Sequence, residues 1–187
     1  MNPNGKNQAL RFVVVFLVLF LLFYYGNKFA FSITTPCGRY NAWLADHLNY
    51  IAGLRHLLLG VSKWFLQLMG FTALSNDEQL MVVGHNTLQM VYSCLGLGVL
   101  SFFAAFVIAY PKPWKPKLIF LVAGMVAIEI LNVCRLIFLV LFWSPRNQRI
   151  IDHHTIFNIL IYIIIAITLY FWVKSKKSPK TTPNAEN

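Results

Sequence analysis

Residues 118–143 read LIFLVAGMVAIEILNVCRLIFLVLFW, and this stretch decides the fold. A helix needs about 20 apolar residues to cross a hydrocarbon core of about 30 Å, and the run exceeds that. Yet it carries Glu129, Asn132 and Arg135. At about 100° per residue these three fall within an arc of about 120°, so one helix can turn them all to one inward face. Polar side chains are expensive in hydrocarbon, and each asks for a reason. A bland reason exists: Arg135 snorkels to the headgroups, or pairs with Glu129 for stability.

Working outward, three more apolar runs stand out. They are Phe12–Tyr25 (extended by Phe29, Ala30 and Phe31), Leu95–Tyr110 and Ile156–Val173. No small-x-small cleavage site follows Tyr25, so the first run reads as an uncleaved span rather than a signal peptide. The composition agrees: 58% hydrophobic, 12% charged, with 16 Lys+Arg against 6 Asp+Glu for a net charge of +10. A soluble domain carries roughly twice that charged fraction, which argues against an ordinary cytosolic protein. The cations cluster between apolar runs instead of forming one basic face, which argues against a nucleic-acid binder. Three cysteines, Cys37, Cys94 and Cys134, are too few and too far apart for a disulfide framework or a CxxC metal site.

Loop charge sets the orientation. Lys6 and Arg11 precede the first run, Lys112, Lys115 and Lys117 lie between the second and third, and Lys174, Lys176, Lys177 and Lys180 follow the fourth. With four spans, all of these cations fall on one side, which the positive-inside rule makes cytoplasmic. Residues 32–93 and 144–155 then face outward, and the polar tail reads as disordered. Trp43–Phe71 has a narrow polar stripe at helical spacing, from Asp46 through Asn49, His56 and Lys63 to Gln67. It predicts an outer amphipathic helix, lying in the interface or packed along the bundle. Gln79–Val83 and Thr87–Tyr92 flank Gly84-His85-Asn86 and predict a short hairpin. The expected fold is an all-α membrane protein, a polytopic helical bundle of about four transmembrane helices with that amphipathic helix and hairpin outside. Residues 1–175 form one integral membrane domain and 176–187 a cytoplasmic basic tail.

This topology brings several chemically capable residues to one depth. Arg135, 18 residues beyond Lys117, sits roughly 27 Å along its helix at about 1.5 Å per residue, near the outer boundary. Cys94 opens the second run and His153 and His154 open the fourth, at the same boundary. A neighbouring cation or imidazolium promotes thiolate formation. Imidazole can take the thiol proton and return it to a leaving amine, and a fixed guanidinium can hold a developing oxyanion. Taken singly, each has a duller explanation: a lone Cys among apolar residues is usually an inert small hydrophobe, and paired His at a helix start is usually interfacial. Cys134 turns about 100° from Arg135 and reads as packing. His47, His56 and His85 lack metal-ligand spacing, Cys37 has no evident partner, and Asn86 reads as a structural turn residue.

On Cys94-Leu95-Gly96, Asn132-Val133-Cys134-Arg135 and His153-His154, the chain resembles the exosortase/archaeosortase family of membrane-embedded cysteine transpeptidases, as a compact variant. That family has Cys-x-Gly at the start of one span, Asn-x-x-Arg inside the next and His opening the one after. The resemblance covers roughly Trp43–Tyr170. It implies a nucleophile at Cys94, a catalytic arginine at Arg135 and a base at His154, with Asn132, Gly96, Glu129 and His153 in support. The family histidine is commonly followed four positions later by a small residue, which favours His154, with Asn158, over His153, with Phe157. The usual Ser and second Arg after the cysteine are replaced here, the stretch reading Cys94-Leu95-Gly96-Leu97-Gly98-Val99.

The resemblance further implies substrates that are exported proteins with a C-terminal sorting signal: a short motif, a hydrophobic helix and a basic tail. Cleavage at the outer face of the cytoplasmic membrane would leave an acyl-enzyme for a membrane lipid or other amine-bearing acceptor, with no cofactor and no nucleic acid involved. The rival functions are a protease that releases its product to water and a non-catalytic membrane scaffold or assembly factor. A transporter ranks lower, because no internal repeat or pair of broken helices is evident.

Overall fold

The computed structural model describes residues 3–35, 41–47, 49–142 and 153–175. The chain divides into two compact units, residues 1–150 and 151–187. The first contains α1 (Pro3–Thr34), α2 (Ala42–His47), α3 (Tyr50–Leu68), β1 (Ala73–Ser75), β2 (Gln79–Val82), β3 (Thr87–Gln89), a 3-10 turn (Tyr92–Leu95), α4 (Leu97–Ala109) and α5 (Trp114–Phe142). The second contains α6 (His153–Lys174). Residues 144–152 of the expected outer segment 144–155, Cys37 and the tail beyond Ser175 lie outside the described residues.

Among the described residues two helices, α1 over Asn7–Thr34 and α5 over Trp114–Phe142, are long and apolar enough to cross a membrane. The expected second span is shorter than its sequence run. Its helix α4 has only 13 residues, about 20 Å at 1.5 Å per residue. Gly96, at φ +70°, separates it from the preceding 3-10 turn. Pro111 and Pro113 follow its last turn, where proline cannot continue a helix. The apolar helical part of the fourth run, Ile159–Lys174, is likewise among the shorter helices.

Aromatic residues fasten α1 to α4. Phe12, Phe16 and Phe20 recur every fourth residue along α1 and so line one face. Phe12 meets Phe106 edge-on at 5.3 Å and Phe16 meets Phe102 at 5.4 Å, the offset that ring quadrupoles favour. Between α4 and α5 the contact falls on a glycine. A side chain on Gly124 would run into the ring of Phe103, so this crossing needs glycine. Lys117 is only 6% exposed rather than a free loop cation. Its Nζ donates to the Ile108 carbonyl at 3.0 Å and lies 4.7 Å from the Trp114 ring centroid. A cation there complements the carbonyl-rich end of α4.

The stretch expected to be one amphipathic helix over Trp43–Phe71 is broken near residue 49. Asn49 caps α3 with its side chain, accepting from the Ala52 N–H at 2.9 Å, a bond that favours starting a helix over continuing one. Ile51, Leu58, Leu59, Ser62 and Leu66 then form the buried stripe. The hairpin stands where expected, and it has a third strand: β1 pairs antiparallel with β2, and β2 with β3. The β1–β2 turn is held by Asn76 Oδ1, which accepts from the N–H groups of Glu78 at 3.0 Å and Gln79 at 2.6 Å. Arg55 on α3 pairs with Glu78 at 3.1 Å. The main core lies among α3, the sheet and the C-terminal half of α5, and it contains Cys94, Leu95 and Leu97.

Candidate active site

The Cys94 turn is set from two directions. Its own N–H donates to the Val91 carbonyl at 2.8 Å, closing the 3-10 turn. Gly96 then reverses into the left-handed region, which a residue with Cβ adopts only at a cost. From α5, Asn132 Nδ2 donates to the Cys94 carbonyl at 3.1 Å and to Glu129 Oε2 at 3.4 Å. A Cβ on Gly96 would lie 3.2 Å from that same Nδ2. Glycine is therefore favoured twice over, once by the backbone conformation and once by the close approach of the amide.

The polar face expected on residues 129, 132 and 135 is present. Asn132 and Arg135 are each 2% exposed, and Glu129 is half-buried. Arg135 lies three residues beyond Asn132, about 4.5 Å along the axis, so it follows the amide on the same face. The charges of Arg135 and Glu129 interact. Asn132 Oδ1 and Glu129 Oε1 are buried with no hydrogen-bond partner among the described residues. Buried polar atoms in this state are costly, and they mark a face shaped by something other than stability.

Cys94 itself is 1% exposed. Cys134 is exposed, so instead of packing in the core it lines an apolar cavity of about 930 Å³. The cavity runs between α1, α3, α4 and α5, with Leu57, Leu100, Met125 and Ile137 among its walls. Three of its polar groups form a chain: Tyr50 Oη donates to Asn27 Oδ1 at 2.6 Å, and Asn27 Nδ2 donates to Ser101 Oγ at 3.0 Å. Glu129, Leu97 and Val133 belong to both the cavity wall and the surroundings of the Cys94 turn.

Tyr92, two residues before the cysteine, gave no sequence signal beyond its place in the hairpin. Its ring packs on Phe31 at 4.8 Å, and its hydroxyl is buried without a partner among the described residues. Burial pushes its phenol above the usual tyrosine range, and Tyr50 and Tyr24 add in the same direction. His153 opens α6 and His154 follows it, as expected at the start of that helix; their side chains lie outside the described residues.

Taken together, this is an α-helical membrane protein with a cysteine turn clasped by the polar face of a long apolar helix. The chain belongs to the transmembrane exosortase family, whose model matches residues 4–172. No curated protein matches the chain, and no solved structure does.

Proposed function

We propose that this protein is a membrane cysteine peptidase of the transpeptidase type, with Cys94 as nucleophile, Arg135 as the fixed cation and His154 as base. One observation carries the reading. The bond from Asn132 to the Cys94 carbonyl joins the Cys-x-Gly turn to the Asn-x-x-Arg turn, two motifs 38 residues apart. Family membership supplies the class of chemistry.

In the proposed reaction, His154 takes the thiol proton and Sγ attacks the scissile carbonyl carbon. The C–S bond forms, the C–N bond breaks, and the proton passes to the departing amine. Arg135 balances the thiolate and then the oxyanion. An amine-bearing acceptor, such as a membrane lipid, attacks the thioester, losing a proton as Sγ regains one. The substrates are exported proteins with a C-terminal motif, hydrophobic helix and basic tail. The clustering of loop cations, which fits four spans with both termini inside, supports a reaction at the outer face of the cytoplasmic membrane. Gly96, Glu129 and Asn132 position the turn, and His153 is secondary to His154.

Mass spectrometry of surface-protein C-termini, in cells with and without this protein, tests the reading. Truncated C-termini carrying an added amine are expected only when it is present. Free carboxyl termini would make it a hydrolase, and unchanged termini would remove the enzymatic reading. A second reading, a non-catalytic scaffold of the same family, draws on the near-complete burial of Cys94.

A further inference from the structure

The two edges of the small sheet are finished differently. In β1, the register turns the Leu74 backbone toward β2 and leaves the N–H and C=O groups of Ala73 and Ser75 pointing outward. That edge is covered by α3, whose Gln67 Nε2 donates to the Ala73 carbonyl at 3.4 Å. In β3, the bonds from Met90 N to Glu78 O and from Val82 N to Asn86 O fix the pairing, so Leu88 faces β2. The N–H and C=O groups of Thr87 and Gln89 then point away from the sheet. Both residues are exposed, and neither has a hydrogen-bond partner on that side among the described residues.

An open edge is a liability that proteins blunt by keeping the strand short, as the three-residue β3 does, or with lysine, proline, a bulge or a covering element. The sequence Thr87-Leu88-Gln89 has no lysine or proline, while the opposite edge of the same sheet is covered. The open strand also leads directly to the cysteine turn. Cys94 follows Gln89 by five residues, hence within about 17 Å at no more than about 3.5 Å per residue. Extended peptides bind such edges through main-chain hydrogen bonds, and their sequence preference comes from pockets for alternate side chains.

We propose that the outer edge of β3 is the docking strand for the substrate: the extended residues beside the scissile bond add to it as a fourth strand and are thereby led to Cys94. This rests on the peptidase reading of the Cys94 turn and adds where the cleaved segment binds. It also gives Thr87 and Gln89 a role carried by their backbones rather than their side chains.

Proline replaces an outward N–H without touching the β2 ladder, and edge strands tolerate it. The probe is an epitope-tagged exported protein whose precursor accumulates in cells lacking this chain. Thr87→Pro and Gln89→Pro should each slow its processing roughly tenfold, the loss expected for one main-chain bond and its neighbours. Ser75→Pro, on the covered edge, should process it normally. Thermal unfolding in detergent checks that the proline variants remain folded. Normal processing in both proline variants overturns the proposal, as does equal loss in Ser75→Pro.

Should the proline variants not accumulate, a benzophenone amino acid at position 89 of the Cys94→Ala protein provides the second measurement. Crosslinks to that precursor within a few residues of its cleavage point support the docking strand. Crosslinks only to its hydrophobic segment, or none, overturn it. Full processing by Cys94→Ala would instead remove the peptidase reading, so the two failures are distinguishable.

Discussion

Helices α1 and α5 are both long and apolar enough to cross a membrane, but they are held in place by different means. The contacts of α1 with α4 are a row of ring edges meeting ring faces, with one polar link from Asn27 to Ser101. In α5, the amide and the guanidinium at positions 132 and 135 are almost fully buried, with the Glu129 carboxylate beside them. Apolar packing suffices to hold a helix in a bundle, so the first arrangement needs no explanation beyond stability. The second spends stability on desolvated polar groups. What it returns is a fixed backbone turn at Cys94. The difference between the helices separates what keeps the protein in the membrane from what shapes its site.

Substitutions along the two helices should therefore have different effects. The largest is expected at Arg135. Arg135→Lys keeps the charge and loses the planar fork of donors; processing should fall about a hundredfold, the scale of losing one oxyanion donor, while the protein still accumulates in membranes. Near-normal processing would mean that Arg135 is only a buried structural cation. Asn132→Leu comes next. It leaves the buried Cys94 carbonyl without its donor, a loss of about 1–3 kcal/mol, and processing should drop at least about tenfold. Unfolding of the purified protein in detergent should show a smaller change than the activity does, and the reverse ordering would make Asn132 purely structural.

At the α4–α5 crossing the pattern should invert. Gly124→Ala forces Phe103 out of its rotamer and should cost about 1–3 kcal/mol of stability, read as a lower unfolding midpoint with processing per folded molecule retained. The smallest effect is expected on α1. Phe16→Leu exchanges edge-to-face contacts with Phe102 and Phe106, each worth about 0.5–1.5 kcal/mol, for similar apolar bulk and should leave processing unchanged.

The sequence made the polar face of α5 readable because three costly residues share one helical arc within a single apolar run. The hairpin was readable for a similar reason, since Gly84-His85-Asn86 punctuates two apolar stretches. Other features depend on which partner a residue takes, and residue type alone does not say. The break before α3 comes from a cap by Asn49, a residue that also fitted the polar stripe. Strand β1 is only three residues long and too short for alternation to register, so it is defined by its pairing with β2. The burial of Lys117 depends on the end of α4 and the Trp114 ring, which no charge count reveals. The cavity between α1, α3, α4 and α5 arises from how whole helices lean together, and its lining is indistinguishable in sequence from ordinary core.

The central claim is that Cys94, clasped by the polar face of α5, performs the chemistry. Its most direct test is mass spectrometry of surface-protein C-termini in cells producing only Cys94→Ala, alongside Cys134→Ala and matched for membrane abundance. The account predicts uncut C-termini in Cys94→Ala and normal processing in Cys134→Ala. Normal processing in Cys94→Ala would contradict it and leave the scaffold reading in front.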